Sequence, residues 1–141
     1  MVRPYRGGKA KNIRSLILDV LDDGVRPTAI CVHAATNDIG SGRSIDEVVG
    51  ETEALIKLIK EKEAMPIISL PTLRADKFSK DIQHLTERLI QLCNSYEVHY
   101  IQHRAITKEH LNQGGLHISS RYTYLFTKNF SNCFNFLLDH K

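Results

Sequence analysis

The chain has 141 residues, of which 42% are hydrophobic and 25% charged, with a formal net charge of +3. That length fits one domain with a sizeable core, and the balance excludes a disordered, collagen-like or coiled-coil protein. The apolar runs fall well short of the roughly 18–20 residues that cross a bilayer. The basic N-terminus lacks the apolar stretch and small-residue cleavage site of a secretory leader.

The positive charge is unevenly placed. Arg3, Arg6, Lys9, Lys11 and Arg14 stand among the first 14 residues without an acid, leaving 14 basic against 16 acidic residues beyond. Such a stretch can meet phosphate-bearing partners, but nucleic-acid recognition needs a wider basic footprint. A solvated loop and helix face is the favoured reading, and neither a nucleic-acid nor a membrane partner is expected. Cys31, Cys93 and Cys133 are dispersed with no CxxC pair, which favours reduced thiols in an intracellular, cytoplasmic setting.

Along the chain, short apolar runs alternate with segments of helical period. Val2–Tyr5 can form a short strand, which Pro4 confines to an edge or an end. Ile13, Leu16, Ile17, Val20 and Leu21 mark a helix closed by Asp23-Gly24. The run from Thr28 to Ala35 reads as a strand buried on both faces. Ser44 and Glu47 form an S-x-x-E capping box, and Ile45, Val48, Val49, Leu55, Ile56 and Ile59 give the helix behind it one apolar face. Met65–Pro71 is a second strand. Phe78, Ile82, Leu85, Leu89, Leu92 and Tyr96 make a further helix, Val98–Ile101 a third strand, and Phe126, Phe130, Phe134 and Leu137 the stripe of a last helix. Four of the five phenylalanines lie there. Core packing on the sheet accounts for the stripe, with Phe136 off it and open to solvent.

This rhythm predicts a single three-layer α/β/α domain over residues 1–141 with a parallel sheet covered on both faces. Right-handed crossovers place its ligand site at the carboxyl ends of the strands.

Two segments carry polar residues suited to such a site. The first strand ends in Thr36-Asn37-Asp38, where an Asn side chain can donate to a developing oxyanion, or where all three merely satisfy a strand-to-helix turn. Leu111-Asn-Gln-Gly-Gly-Leu-His-Ile-Ser119 sets His117 at a helix entrance after a Gly-Gly turn, which suits a base that titrates near neutrality. His99 and His103, four apart, and His110 raise metal binding. However, there is no HExxH and no Cys-His cluster of zinc spacing, so scattered, partly exposed histidines are expected, with no metal and no cofactor.

Taken together these blocks resemble the SGNH (GDSL-type) hydrolases, most of all the SGNH-like domains of invertebrate proteins. His33-Ala-Ala-Thr-Asn-Asp-Ile39 is similar to the family's G-x-N-D block, Gly114-Gly-Leu-His-Ile-Ser119 to its final D-G-x-H block, and Val2–Gly8 to its glycine block, with Gly7 the better match and Gly8 the alternative. The resemblance spans nearly the whole chain. It implies a flavodoxin-like SGNH fold, Asn37 and Gly7 as oxyanion donors, Thr36 and Asp38 as neighbouring ligand contacts, and His117 as the base of a serine-hydrolase mechanism.

The departures from the family are as informative. No Gly-Asp-Ser occurs in the sequence, Gly114 occupies the position of the Asp that orients the base, and Ala35 replaces a glycine. The resemblance therefore implies an N-terminally truncated member lacking the nucleophile block and its strand, whose uncovered sheet edge would favour self-association. Ser41 and Ser69 lie near predicted strand ends, but turn and strand serines usually serve local hydrogen bonds, and neither is expected to substitute. The expected function is an esterase-like domain, with a small ester or acetylated sugar as ligand and little or no turnover. The alternative is a non-catalytic ligand-binding or protein-interaction module on the same fold.

Overall fold

The structure, a computed structural model, describes residues 10–33, 39, 42–111, 121 and 123–139. The apolar period at the start of that range becomes α1, Ala10–Asp22, which ends where Gly24 takes a φ of +87° that side-chain-bearing residues rarely adopt. β1, Ala29–His33, follows, then α2, Ile45–Glu61, β2, Met65–Ser69, α3, Ser79–Ser95, β3, His99–Ile101, and α4, Thr123–Asp139. The expected strand Val2–Tyr5 lies outside the described residues.

The capping box at the start of α2 forms as its spacing requires. The Ser44 hydroxyl accepts from the Glu47 N–H at 3.1 Å. Glu47 takes hydrogen bonds from Arg43 and from the Ser44 hydroxyl and backbone, which hold its carboxyl below the usual value.

β1, β2 and β3 form a parallel sheet in that order, with His33 opposite Ser69 and Ser69 opposite Ile101. Side chains alternate across a strand, so the sheet has two unlike faces. Ile30, Val32, Ile68, Leu70 and Tyr100 join the main core with Ile17 and Leu21 of α1, Val48, Leu55, Ile56 and Ile59 of α2, and Ile82, Leu85 and Leu89 of α3. Each fully buried Leu or Ile there contributes about 1.5–3 kcal/mol of transfer free energy. On the other face stand Cys31, His33, Ile67, Ser69 and Ile101, covered by α4, whose Phe130 ring meets the rings of His33 and His103.

The α4 side departs from expectation. Among its described residues Phe130, Phe134 and Leu137 are only half-buried, while Tyr124 and Phe136 are 62% and 54% exposed. The sheet beneath it is narrow, since β3 has three residues, and its rim carries His33, Ser69 and His103 instead of apolar groups. The aromatic stripe therefore finds too little apolar surface to bury itself fully. Among the described residues no helix is long and apolar enough to cross a membrane.

Candidate functional site

The carboxyl rim of the sheet carries a chain of hydrogen bonds between four elements of the fold. The register that pairs His33 with Ser69 puts both side chains on the α4 face, and His33 Nδ1 lies 2.9 Å from Ser69 Oγ. His103 lies two residues beyond Ile101, on the same face, and its Nε2 is 2.8 Å from the same hydroxyl. The amide of Asn129 on α4 reaches His103 Nδ1 at 2.9 Å. Phe130 closes the cluster with ring centroids 6.4 Å from His33 and 5.7 Å from His103.

The contact with Asn129 sets the donor and acceptor roles at His103. Asn129 Nδ2 faces His103 Nδ1, so Nδ1 accepts and the ring proton sits on Nε2, which donates to Ser69 Oγ. The hydroxyl, with one proton and two lone pairs, also bonds His33 Nδ1.

Both rings are held neutral near pH 7. Burial pushes His103 down to about 4, and His33 beside it adds a smaller push the same way. His33 also falls to about 4. The residue is exposed as a whole, yet the protein packed around its ring strips water from the charged form, and a hydrogen bond to the Ser69 backbone opposes that only in part. Ser69 and His103 are enclosed, at 2% and 7% exposure. The backbone beside the hydroxyl is committed as well, because the Leu70 N–H donates to the Ile101 carbonyl at 2.9 Å.

The residues singled out from the sequence, Gly7, Thr36, Asn37, Asp38 and His117, lie outside the described residues, as do Gly8, Ala35, Ser41 and Gly114. His33 immediately precedes the Ala34–Asp38 segment, so the relay grips the strand from which that segment leaves. From the sequence, Ser69 reads as a serine making local hydrogen bonds and His103 as a scattered, partly exposed histidine, and nothing there marks His33 or Asn129 as members of a site. Four-residue spacing from His99 was the wrong signal for His103; the informative one was a polar residue closing each of two buried strands, which becomes a cluster only once register is known. Among the described residues no group of three or more His, Cys, Asp or Glu side chains is placed to hold a metal ion.

Away from the rim, a concavity of about 290 Å³ is lined by Leu18, Leu21, Asp22, Arg26, Glu61, Lys62 and Glu63. Both α1 and α2 end there, so it lies at the opposite end of the sheet from the rim.

No family model and no curated protein matches the sequence. Solved structures match its shape. A GDSL-like lipase of Bacteroides thetaiotaomicron superposes with a TM-score of 0.77 at 14% identity, over 90% of this chain and 71% of its own. A psychrotrophic esterase of a Pseudoalteromonas species gives 0.74 at 16%, over 94% and 74%. An acetylxylan esterase of Geobacillus stearothermophilus gives 0.71 at 12%, over 88% and 66%.

The chain has the SGNH (GDSL-type) hydrolase fold. At these identities the likeness is one of fold, and the expectation drawn from the Asn-Asp and Leu-His blocks is met at that level. The SGNH fold also gives the relay its setting, at the strand ends where an open α/β sheet places ligand contacts.

Proposed function

We propose that this chain is an SGNH-fold esterase-like domain that binds a small ester or acetylated sugar at the carboxyl rim and turns it over slowly or not at all. In this reading Asn37 and Gly7 supply oxyanion donors, Thr36 and Asp38 line the ligand, and His117 stands as the base. The solved structures of like fold include enzymes named as a lipase, an esterase and an acetylxylan esterase, which supports the substrate class.

The observation that carries the low turnover is the state of Ser69. Acyl transfer through an enzyme nucleophile needs a serine that can reach the carbonyl carbon, with free donors beside it for the oxyanion. No Gly-Asp-Ser occurs in the chain. Ser69, the described serine at the end of the central strand, is enclosed, bonded to two imidazoles, and flanked by an N–H already used in the sheet. Its partners suit a structural bond better than attack. Losing one member of a nucleophile–base pair typically costs several orders of magnitude in rate.

The test is p-nitrophenyl acetate hydrolysis by the purified chain beside His117→Ala and Ser69→Ala. The expected result is that all three match the uncatalysed rate closely. Turnover that disappears in His117→Ala would overturn the reading and establish an active hydrolase. The three cysteines are unpaired, which supports a reducing, intracellular setting as part of the same proposal.

A further inference from the structure

We propose that Cys31 of β1 and Cys133 of α4 are a redox pair: on meeting a low-molecular-weight disulfide they join, and the bond latches α4 onto the sheet. The pair is independent of the ester-binding reading of the rim.

Strand alternation and helical period bring the two residues together. Ile30 and Val32 belong to the main core, so Cys31 stands on the opposite face of β1, with His33 and under α4. The Phe130 ring of α4 lies against the His33 ring, with centroids 6.4 Å apart. Cys133 follows Asn129 by four residues and Phe130 by three, spacings that share one helix face, and those two residues meet the rim from that face. From the contact between Phe130 and His33, Cys133 lies about 4.5 Å along α4 and Cys31 about 6.6 Å along β1. The two steps run the same way, because a charge on Cys133 is felt at Cys31, where it adds to the larger effect of burial. Both thiols are unpaired. Cys93 is packed in the main core, across the sheet from them.

A disulfide needs its Cα atoms about 4.4–6.8 Å apart. No described side chain of α4 is fully buried, so the helix has the freedom to adopt that spacing without disrupting a packed core. Asn129 and Phe130 ride on α4, so the bond would fix the helix that covers His33, Ser69 and His103.

The exchange balances with oxidised glutathione as the oxidant. Cys133, in the less enclosed surroundings, reacts first. Its thiol gives up a proton, the thiolate attacks one sulfur of the glutathione disulfide, and one glutathione thiolate leaves. The Cys31 thiolate then attacks the Cys133 sulfur of the mixed disulfide and expels the second. Two electrons pass from the two cysteines to glutathione, and the two protons end on the departing thiolates. Burial keeps Cys31 protonated near neutral pH, so closure is slow there and speeds up as pH rises.

The test incubates the reduced full chain with oxidised glutathione, quenches it in acid, and applies intact mass and peptide mapping without reductant. The expected product has lost two hydrogens and links the peptides that carry Cys31 and Cys133. Its thermal midpoint should rise by about 5 °C or more over the reduced chain, with amide exchange slowed across α4, and dithiothreitol should reverse both. Cys93→Ser should close the same bond. Cys133→Ser should give no linked peptide and no rise; should that variant fail to fold, the wild-type mapping decides alone. An unmodified chain, glutathione adducts that never close, a link that includes Cys93, or crosslinked dimers would each overturn the pairing. A Cys31–Cys133 bond that leaves the midpoint and α4 exchange unchanged would overturn the latch.

Discussion

His103 Nε2 lies 2.8 Å from the Ser69 hydroxyl, so the segment after β3 is tied by a side chain to the end of β2, beyond the last rung of the backbone ladder. Asn129 extends the tie to α4, a helix whose apolar face is only half-buried. Where aromatic packing is incomplete, this polar bond supplies part of what docks the helix on the sheet.

Ser69→Ala should therefore destabilise the fold out of proportion to the single oxygen removed. It removes the hydroxyl that bonds both His103 Nε2 and His33 Nδ1 in an enclosed setting. The expected cost is about 1–3 kcal/mol, the penalty for unsatisfied buried polar groups. Urea denaturation at pH 7 measures it, and a change below a few tenths of a kcal/mol would show that the relay carries no stability.

Ser44→Ala should cost about 1 kcal/mol, since Ser44 Oγ accepts the Glu47 N–H at the start of α2. The Glu47 carboxylate would also lose its hydrogen bond from the Ser44 hydroxyl, while those from Arg43 and the Ser44 backbone remain. Ser44→Asp, which keeps a cap acceptor, should recover most of the loss in the same denaturation experiment.

The layered architecture was legible because it rests on local rules. The capping box, the Asp23-Gly24 stop and the 3.6-residue stripes locate α1, α2 and α3, while runs such as Thr28–Ala35 and Met65–Pro71 locate the strands to within a few residues. The relay was not legible. His33 and Ser69 are 36 residues apart and meet only because β1 and β2 pair in one register, whereas His103 and Asn129 meet because α4 crosses the face that β3 leaves open. Nothing in the spacing of those four residues encodes either fact. Phe130 looked like core for a sound reason, but its neighbours at the rim turned out to be imidazoles.

Core and surface substitutions should separate sharply. Leu85, fully buried within the main cluster, should cost about 2–5 kcal/mol on truncation to Ala through lost burial and a residual cavity. Phe136→Ser, at a position 54% exposed on α4, should stay within roughly 0.5 kcal/mol of wild type. Comparable losses at the two sites would mean that α4 is more deeply packed than its exposure indicates.

The thiols should be slow to alkylate. Burial, with Cys133 adding to it, pushes Cys31 up to about 12 from 9.0, and burial alone pushes Cys93 to about 11. Only the thiolate is nucleophilic, so at pH 8 Cys31 should react about a thousandfold more slowly than an unperturbed thiol. Iodoacetamide labelling followed by intact mass should show little modification at Cys31 and Cys93 in the folded chain and three additions in urea. Rapid labelling of Cys31 without denaturant would place it in a far more open environment.

Acid should weaken the fold before its carboxylates protonate. An unfolded histidine binds its proton near 6.5, whereas folded His33 and His103 do so only near 4. Between those values the unfolded chain holds more protons, so stability contributed by the neutral rings is complete above about pH 6.5, declines as pH falls, and is lost by about pH 4. For enclosed His103 the loss is on the order of 2–3 kcal/mol; exposed His33 contributes less because solvent screens its ring. The two losses are not additive, since a charge on His33 disfavours a charge on His103. Asp76, held below its usual value first by its hydrogen bond from Arg74, works in the opposite sense to a raised group and loses its contribution only below the ordinary carboxylate range, outside this window. Urea unfolding at pH 7, 6, 5 and 4 should therefore trace a fall centred between 6.5 and 4, and His103→Gln should flatten it. A wild-type curve already level across that interval would mean that the rings are not held neutral by the fold.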